Sequence, residues 1–129
     1  MYSFSKSSEK RLKELQIDLQ SILTEAIEIV DFAVLTGYRD EETQNKAYQN
    51  GFSKLKFPQS KHNSEPSKAV DIAPSPVDYK DTKRFYYLAG IIKAIAHKRN
   101  IPIRWGGDWD NDNDFTDNKF NDLVHFELF

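Results

Sequence analysis

Apolar side chains recur at steps of three and four along the first thirty positions of this chain. Spacing of that kind places them on one face of an α-helix, so the sequence predicts an amphipathic helix over residues 8–30. Ser7 or Ser8 can cap its first turn, in which Glu9 suits the helix dipole. A stripe of this length must be buried against a second layer of structure. The stripe consists of Leu12, Leu15, Leu19, Ile22, Leu23, Ala26 and Ile29.

The rest of the chain alternates short apolar segments with two further helical patterns. One helix is expected from Asp40 to about Asn50, ended by Gly51, and another over residues 81–98. The 129 residues suffice for one core, so we expect a single domain over residues 1–129. The expected class is α+β, a small antiparallel sheet with helices packed on one side. Strands are predicted over residues 32–36, 69–73, 101–105 and 123–129.

Composition excludes several functional classes. The chain has no cysteine, which excludes disulfides, thiolate metal sites and cysteine nucleophiles. Its formal net charge is −2 and it has no basic stripe, which argues against nucleic-acid binding. The N-terminus lacks the apolar core of a signal peptide, and no run approaches the roughly 20 apolar residues of a membrane span. We expect a monomer that neither inserts into membranes nor binds nucleic acid.

Two of the three histidines accompany a carboxylate in a metal-ligand pattern. His97 stands in the last turn of a predicted helix, where a cation suits the dipole, and is predicted to be a surface residue. His62 lies in the polar segment 52–68, predicted as a long loop, whereas Asp71 and His125 lie on predicted strands. Two imidazoles and one carboxylate leave one tetrahedral position free on zinc, as in hydrolytic sites. Spacing alone also allows ordinary hydrogen-bonded histidines.

Strand alternation indicates which face would carry such a site. In the second strand Val70 is expected to point to the core, and Asp71 away from it. In the last strand Val124 is expected to point to the core, with His125 and Glu127 on the opposite face. Both strands would then present metal-capable side chains away from the core, in a cleft on the far face of the sheet.

Five motifs resemble those of the zinc peptidases that cleave bacterial cell-wall peptides. That family includes D-alanyl-D-alanine dipeptidases and carboxypeptidases, and phage L-alanyl-D-glutamate endopeptidases. The resemblance covers nearly the whole chain, and the chain is most similar to single-domain phage endolysins. The motifs are Ser-x-His at 60–62, Ala-x-Asp at 69–71, Asp-x-x-His-x-Glu at 122–127, Thr-Gly-Tyr-Arg at 36–39 with Gln44 after it, and Gly-Gly-Asp-Trp at 106–109.

The resemblance implies a role for each matched residue. His62, Asp71 and His125 would hold zinc, and Asp122 would be the general base that activates water. Arg39 would face the substrate carbonyl or carboxylate, because its planar fork matches such oxyanions. The alternative for Arg39 is a surface ion pair with Asp40 or Glu41.

Two further residues near these motifs each have two interpretations. Glu127 would orient a ligand imidazole, or would be a solvated edge carboxylate. Ser60 would contact substrate, or would only cap its loop. His62 and Asp71 are nine positions apart, about two more than is usual in the family. Because loops tolerate insertions, the assignment stands, and Glu65 becomes a candidate for a position near the metal.

Residues 108–114 carry oxygen side chains at alternate positions, as at the start of a calcium loop. The glycine and the terminal glutamate of an EF-hand are absent. The segment is therefore either a solvated polar loop or a calcium site that orders the approach to the last strand. Its carboxylates are Asp108, Asp110, Asp112 and Asp114.

The function implied by the resemblance is that of a zinc-dependent peptidoglycan peptidase, a phage endolysin that hydrolyses the L-Ala–D-Glu bond of the peptide stem. The alternatives are a D,D-dipeptidase or carboxypeptidase on the same stem, and a non-catalytic zinc-containing binding module, which would not need Asp122. We expect no separate cell-wall-binding domain. We also expect synthesis in the host bacterial cytoplasm, with access to the periplasmic wall given by a separate membrane-permeabilising protein.

Overall fold

The computed structural model describes residues 2–129. Four strands form one antiparallel sheet, in which the first strand of the chain pairs with the second, the second with the fourth, and the fourth with the third. The expected class and the antiparallel sheet are therefore confirmed. The elements in chain order are α1 (Lys6–Leu12), α2 (Ile17–Ala26), β1 (Phe32–Thr36), α3 (Glu41–Gln49), a 3-10 turn (Lys61–Asn63), β2 (Ala69–Pro74), α4 (Thr82–Lys98), β3 (Ile103–Gly106) and β4 (Asp122–Leu128).

The prediction of a single helix over residues 8–30 is wrong, because a non-helical segment separates α1 from α2. Leu15 forms an isolated parallel bridge with Ser67. The Gln16 amide donates to the Ser67 carbonyl at 2.8 Å, and the Ser67 amide donates to the Glu14 carbonyl at 2.9 Å. The Gln16 side chain then caps α2. These bonds join positions about fifty residues apart, which a local apolar period cannot reveal.

One buried core lies between the helices and one face of the sheet. Buried side chains of α1, α2 and α4 meet those of all four strands. The Val34 amide at the centre of β1 donates to the hydroxyl of Ser8, a buried residue of α1, at 2.9 Å. The central strand residues of this core are Val34, Val70, Ile72, Ile103, Trp105 and Phe126.

Helix α3 differs from the other helices because the residue it buries is polar. Asp40 caps it by accepting from the Thr43 amide at 2.8 Å, and Gly51 just beyond its end has a positive φ of 78°. The helix predicted from Asp40 to Asn50 is thus confirmed. Its buried side chain is Gln44, which has no exposed surface. Among residues 2–129, no helix has both the length and the apolar composition to cross a membrane.

The pairing of β3 with β4 is irregular next to the site. Trp105 pairs with Phe126, yet the next residue, Gly106, pairs with Asp122. The additional residues of β4 break the alternation, so Leu123 packs on the core while Val124 lines the opposite cleft. The prediction that Val124 points to the core is therefore wrong.

A close approach of backbone makes this irregularity possible. A Cβ atom on Gly106 would lie 2.0 Å from the Asp122 carbonyl oxygen, so only glycine fits there. The Trp105 indole N–H donates to the Leu123 carbonyl at 2.9 Å and holds the bulged segment. Under strict alternation, residues 122 and 125 would lie on opposite faces. The bulge brings both to the cleft.

Candidate active site

Three side chains predicted as metal ligands meet at one point below the cleft. Asp71 on β2 is the Cα partner of His125 on β4, and His62 arrives from the 3-10 turn. Asp71 Oδ1 lies 3.2 Å from both His62 Nε2 and His125 Nδ1. The two nitrogens lie 3.3 Å from each other. The structure thus brings together His62, Asp71 and His125 as a group that could hold a metal ion.

The spacing of these three atoms fits a tetrahedral ion. Bonds of about 2.0 Å, as zinc makes to histidine and carboxylate, require ligand atoms separated by about 3.3 Å in a tetrahedron. The observed separations of 3.2–3.3 Å form such a triangle. The three atoms are acceptors when unprotonated, and an ion between them would satisfy all three.

The outer nitrogen of each imidazole has an acceptor of its own. His62 Nδ1 donates to the Gly37 carbonyl at 2.8 Å, and a carbonyl can only accept. His125 Nε2 donates to Glu127 Oε1 at 2.8 Å. A proton on each outer nitrogen leaves the lone pair on the nitrogen that faces Asp71. Metal-binding histidines are oriented in this way by carboxylates and carbonyls.

The Gly37 carbonyl is held in place by the break between α1 and α2. A Cβ atom on Gly37 would lie 2.8 Å from the Arg11 carbonyl and 2.8 Å from Glu14 Oε1, so the segment packs tightly there. The next amide, that of Tyr38, donates to Glu14 Oε1 at 3.0 Å. The Ser67 hydroxyl donates to the Gly37 carbonyl at 3.2 Å. The longer loop before Asp71 is therefore tied to the same point as His62.

Electrostatics in this centre favour positive charge. Burial acts to lower the pKa of His125, but the Asp71 and Glu127 carboxylates outweigh burial and raise it to about 9. Burial acts to raise the pKa of Asp71, yet hydrogen bonds from His125 and His62 hold it well below its usual range. Without a metal the centre therefore retains a proton, and a divalent ion would compete for the same position.

Arg39 lies beside the ligand carboxylate and forms no ion pair with Asp40 or Glu41. Its guanidinium is 3.5 Å from Asp71 Oδ2, the oxygen that does not face the histidines. A second guanidinium nitrogen donates to Gln44 Oε1 at 3.0 Å. The Arg39 amide also donates to the His62 carbonyl at 2.8 Å. Both the backbone and the side chain of Arg39 are therefore fixed relative to the three ligands.

Asp122 reaches the cleft because of the β4 bulge. It lines the same cavity as Arg39, His62 and His125, a cleft of about 710 Å³. Burial raises the pKa of Asp122, and the nearby Asp71 charge raises it further. Among the carboxylates around the triangle, Asp71 and Glu127 are occupied by the histidines. Asp122 is thus the carboxylate of this group whose pKa is raised rather than lowered.

Glu127 and Ser60 occupy defined structural positions. Glu127 is 9% exposed, and its second oxygen lies 3.4 Å from Lys61 Nζ and 3.7 Å from Arg104. Ser60 lines the cleft, and its hydroxyl accepts from the His62 amide at 3.2 Å. Glu65 is exposed and lies outside both the ligand group and the cleft. Its suggested place near the metal is wrong.

Trp109 and Phe120 line the cleft and were not assigned roles from the sequence. The Trp109 ring lies 5.5 Å from the His125 ring, and Phe120 stacks on Trp109 at 6.4 Å. The Trp109 indole N–H donates to the Phe120 carbonyl at 2.6 Å. Trp109 is the last residue of the Gly-Gly-Asp-Trp motif, and this motif is the feature of the sequence from which its place in the site could have been predicted. His97, as predicted, is exposed on α4.

The loop at 108–117, called the acidic loop below, forms two overlapping carboxylate groups rather than one. Asp108 is buried, lies 3.5 Å from Lys93 Nζ, and accepts from the Asn113 amide at 2.9 Å. Loss of solvation and the neighbouring carboxylates raise the pKa of Asp110 to about 6. The groups are Asp108 with Asp110 and Asp112, and Asp112 with Asp114 and Asp117.

Comparisons with known proteins agree with one another. A family model described as phage L-alanyl-D-glutamate peptidase matches residues 1–129. The L-alanyl-D-glutamate peptidase of Escherichia phage T5 is 30% identical over 122 residues, covering 90% of this chain and 88% of that protein. Serratia marcescens L-Ala D-Glu endopeptidase ChiX shares the fold, with a TM-score of 0.76 at 24% identity over 98% of this chain and 90% of that one. Because the family match runs from the first residue to the last, the chain belongs to the phage L-alanyl-D-glutamate peptidase family.

Proposed function

We propose that this chain is a zinc-dependent endopeptidase that hydrolyses the L-Ala–D-Glu bond in the peptide stem of peptidoglycan, as a phage endolysin. Family membership supports the reaction and the bond. The observation that carries the metal is the triangle of ligand atoms, with separations of 3.2–3.3 Å and both outer imidazole nitrogens bonded to acceptors. His62, Asp71 and His125 would hold the ion.

Zinc, when bound, polarises a carbonyl oxygen and makes a nearby water more acidic. Asp122 takes a proton from the attacking water, whose oxygen bonds to the scissile carbonyl carbon. The C–N bond then breaks, and Asp122 returns the proton to the leaving amine. The raised pKa of Asp122 suits this role, because a more basic carboxylate accepts a proton more readily.

Arg39 stabilises the negative charge that develops on the substrate oxygen. An arginine guanidinium presents several donors in one plane, a geometry that matches planar oxyanions. Gln44 and Asp71 fix that plane before substrate binds. A donor held in place in advance needs little reorganisation during the reaction, which is the main source of such stabilisation.

Mass spectrometry of defined muropeptides after digestion tests the reaction directly. We expect one new amine on D-Glu and one new carboxylate on L-Ala, and no cleavage after a chelator has removed the metal. Elemental analysis of the purified protein should find one zinc per chain. Cleavage only between D-alanines would favour the D,D-peptidase alternative. Zinc binding without any cleavage would favour the binding module.

We further propose that the enzyme acts on the wall from the periplasmic side, with a separate protein giving it access through the membrane. Purified protein added to permeabilised Gram-negative cells should clear the suspension, whereas expression in intact cells without a permeabilising partner should not. Lysis on expression alone would contradict this route.

A further inference from the structure

Among residues 2–129, three arginine and lysine side chains line the cleft, and two of them already face a carboxylate. Arg39 lies 3.5 Å from Asp71, and Lys61 lies 3.4 Å from Glu127. Lys54 is different, because within residues 2–129 it forms no ion pair with a carboxylate. Its Nζ atom instead lies 4.4 Å from the centroid of the Phe120 ring.

The residues on both sides of Lys54 are anchored by one buried side chain. The buried Gln44 amide donates to the Ser53 hydroxyl at 2.9 Å and to the Leu55 carbonyl at 2.6 Å. The same side chain accepts from Arg39 at 3.0 Å. One buried amide therefore fixes both the guanidinium beside the metal ligands and the loop that carries Lys54.

An aromatic wall connects Lys54 with the candidate metal centre. The ammonium lies over Phe120, Phe120 stacks on Trp109, and Trp109 lies against His125. The ring faces attract a cation, yet they offer no hydrogen-bond acceptor to neutralise it. The wall thus holds the Lys54 ammonium in the cleft and leaves its N–H groups available as donors.

The substrate class supplies anions of the matching kind. Glutamate has an α- and a γ-carboxyl group. Only one of the two can form the peptide bond that continues the stem, so the other remains free. The stem also ends in a carboxylate. We propose that Lys54 binds a free carboxylate of the stem peptide and so makes the enzyme selective for the anionic form. This inference rests on the proposed function.

Matched substrates and variants test the inference. Wild type, Lys54→Met and Lys54→Arg would each be given three muropeptides: the unmodified stem, the stem with the free glutamate carboxylate amidated, and the stem with its terminal carboxylate amidated. Wild type should lose roughly tenfold in kcat/KM on one of the two amides, the size of a charge-assisted hydrogen bond. That amide identifies the carboxylate concerned.

Lys54→Met should cut the unmodified stem about tenfold more slowly and be insensitive to that same amidation, whereas Lys54→Arg should keep the preference. Lys56→Met is the control, because Lys56 lies over Tyr48 and outside the cleft, and should behave as wild type. A wild type indifferent to both amidations, or a Lys54→Met enzyme that keeps the preference, would overturn the assignment to Lys54 alone. A wild type that cuts none of the three stems at L-Ala–D-Glu would overturn the proposed function together with it.

Discussion

Carboxylates cluster in two regions of this molecule, and they are held in opposite ways. At the candidate metal centre, the hydrogen bonds of Asp71 join residues 9 and 54 positions away in the chain. In the loop 108–117, Asp112 and Asp114 accept from backbone amides two residues further on. Tertiary structure fixes the first group before any ion binds, whereas local turns hold Asp112 and Asp114 of the second group whether or not an ion is present.

The two regions also differ in the groups behind the carboxylates. At the centre, Gly37 and Glu127 accept the outer protons of both histidines. In the loop the carboxylates face one another, and Asp110 and Asp117 have raised pKa values through loss of solvation and neighbouring negative charge. A cluster of acidic residues is thus weaker evidence for a metal than a group whose ligands are individually oriented.

Loss of a ligand at the centre should have the largest effect. His125→Ala should lose zinc and activity together, because it leaves two ligands and removes the imidazole that bonds to Glu127. His97→Ala is the matched control, since His97 is exposed on α4, and should change neither quantity. Elemental analysis and muropeptide digestion would measure both. A fully zinc-loaded His125→Ala protein would disprove the ligand assignment.

Removal of the base should affect rate alone. Asp122→Asn keeps the shape of the side chain and should retain zinc and fold, yet lose about 10²–10⁴ in kcat, the usual worth of a positioned acid–base group. Single-turnover cleavage with parallel zinc analysis would separate the two. Turnover near wild type would mean that another group takes the proton.

The orienting carboxylate should have an intermediate effect. Glu127→Ala removes the acceptor for His125 Nε2 and should weaken zinc binding by about 10–100-fold. Glu127→Gln keeps an oxygen acceptor at the same place and should weaken it less. Competition with a chromophoric chelator would give both affinities. Equal affinity in Glu127→Ala and wild type would show that the 2.8 Å bond to His125 does not tune the metal.

Sequence patterns predicted those parts of the molecule that obey a local period. Strand alternation predicted that Asp71 and His125 point away from the core, and the structure brings them together with His62 on that face. The break between α1 and α2 was missed because it depends on the bridge from Leu15 to Ser67. Val124 was misplaced because the bulge opposite Gly106 interrupts the alternation.

The buried polar residues were the hardest to interpret from the sequence. Gln44 lies in a helix with few apolar residues, and nothing in the local pattern distinguishes it from a solvated glutamine. Its burial depends on Arg39, Asn63 and the loop at 53–55, all of which bond to its amide. Such a residue gains its role only when distant segments meet.

The smallest expected effect concerns the acidic loop, where the comparison between the two regions can be sharpened. Loss of solvation and then the neighbouring carboxylates raise the pKa of Asp110. Calcium binds carboxylate oxygens at about 2.3–2.6 Å and would relieve the repulsion between these carboxylates. The loop continues into Asp122, and the side-chain amide of Asn118 within it donates to the Gly106 carbonyl at 3.2 Å. An ordered loop should therefore hold the general base Asp122 in place better than a mobile one. At saturating zinc, activity should rise modestly on addition of calcium, and the rise should vanish in the double variant Asp110→Ala/Asp112→Ala. Calorimetry should detect binding near millimolar calcium in the wild type only, at the weak end for protein calcium sites. If neither heat nor activation is found, the loop holds no calcium, and its exposed carboxylates are solvated surface.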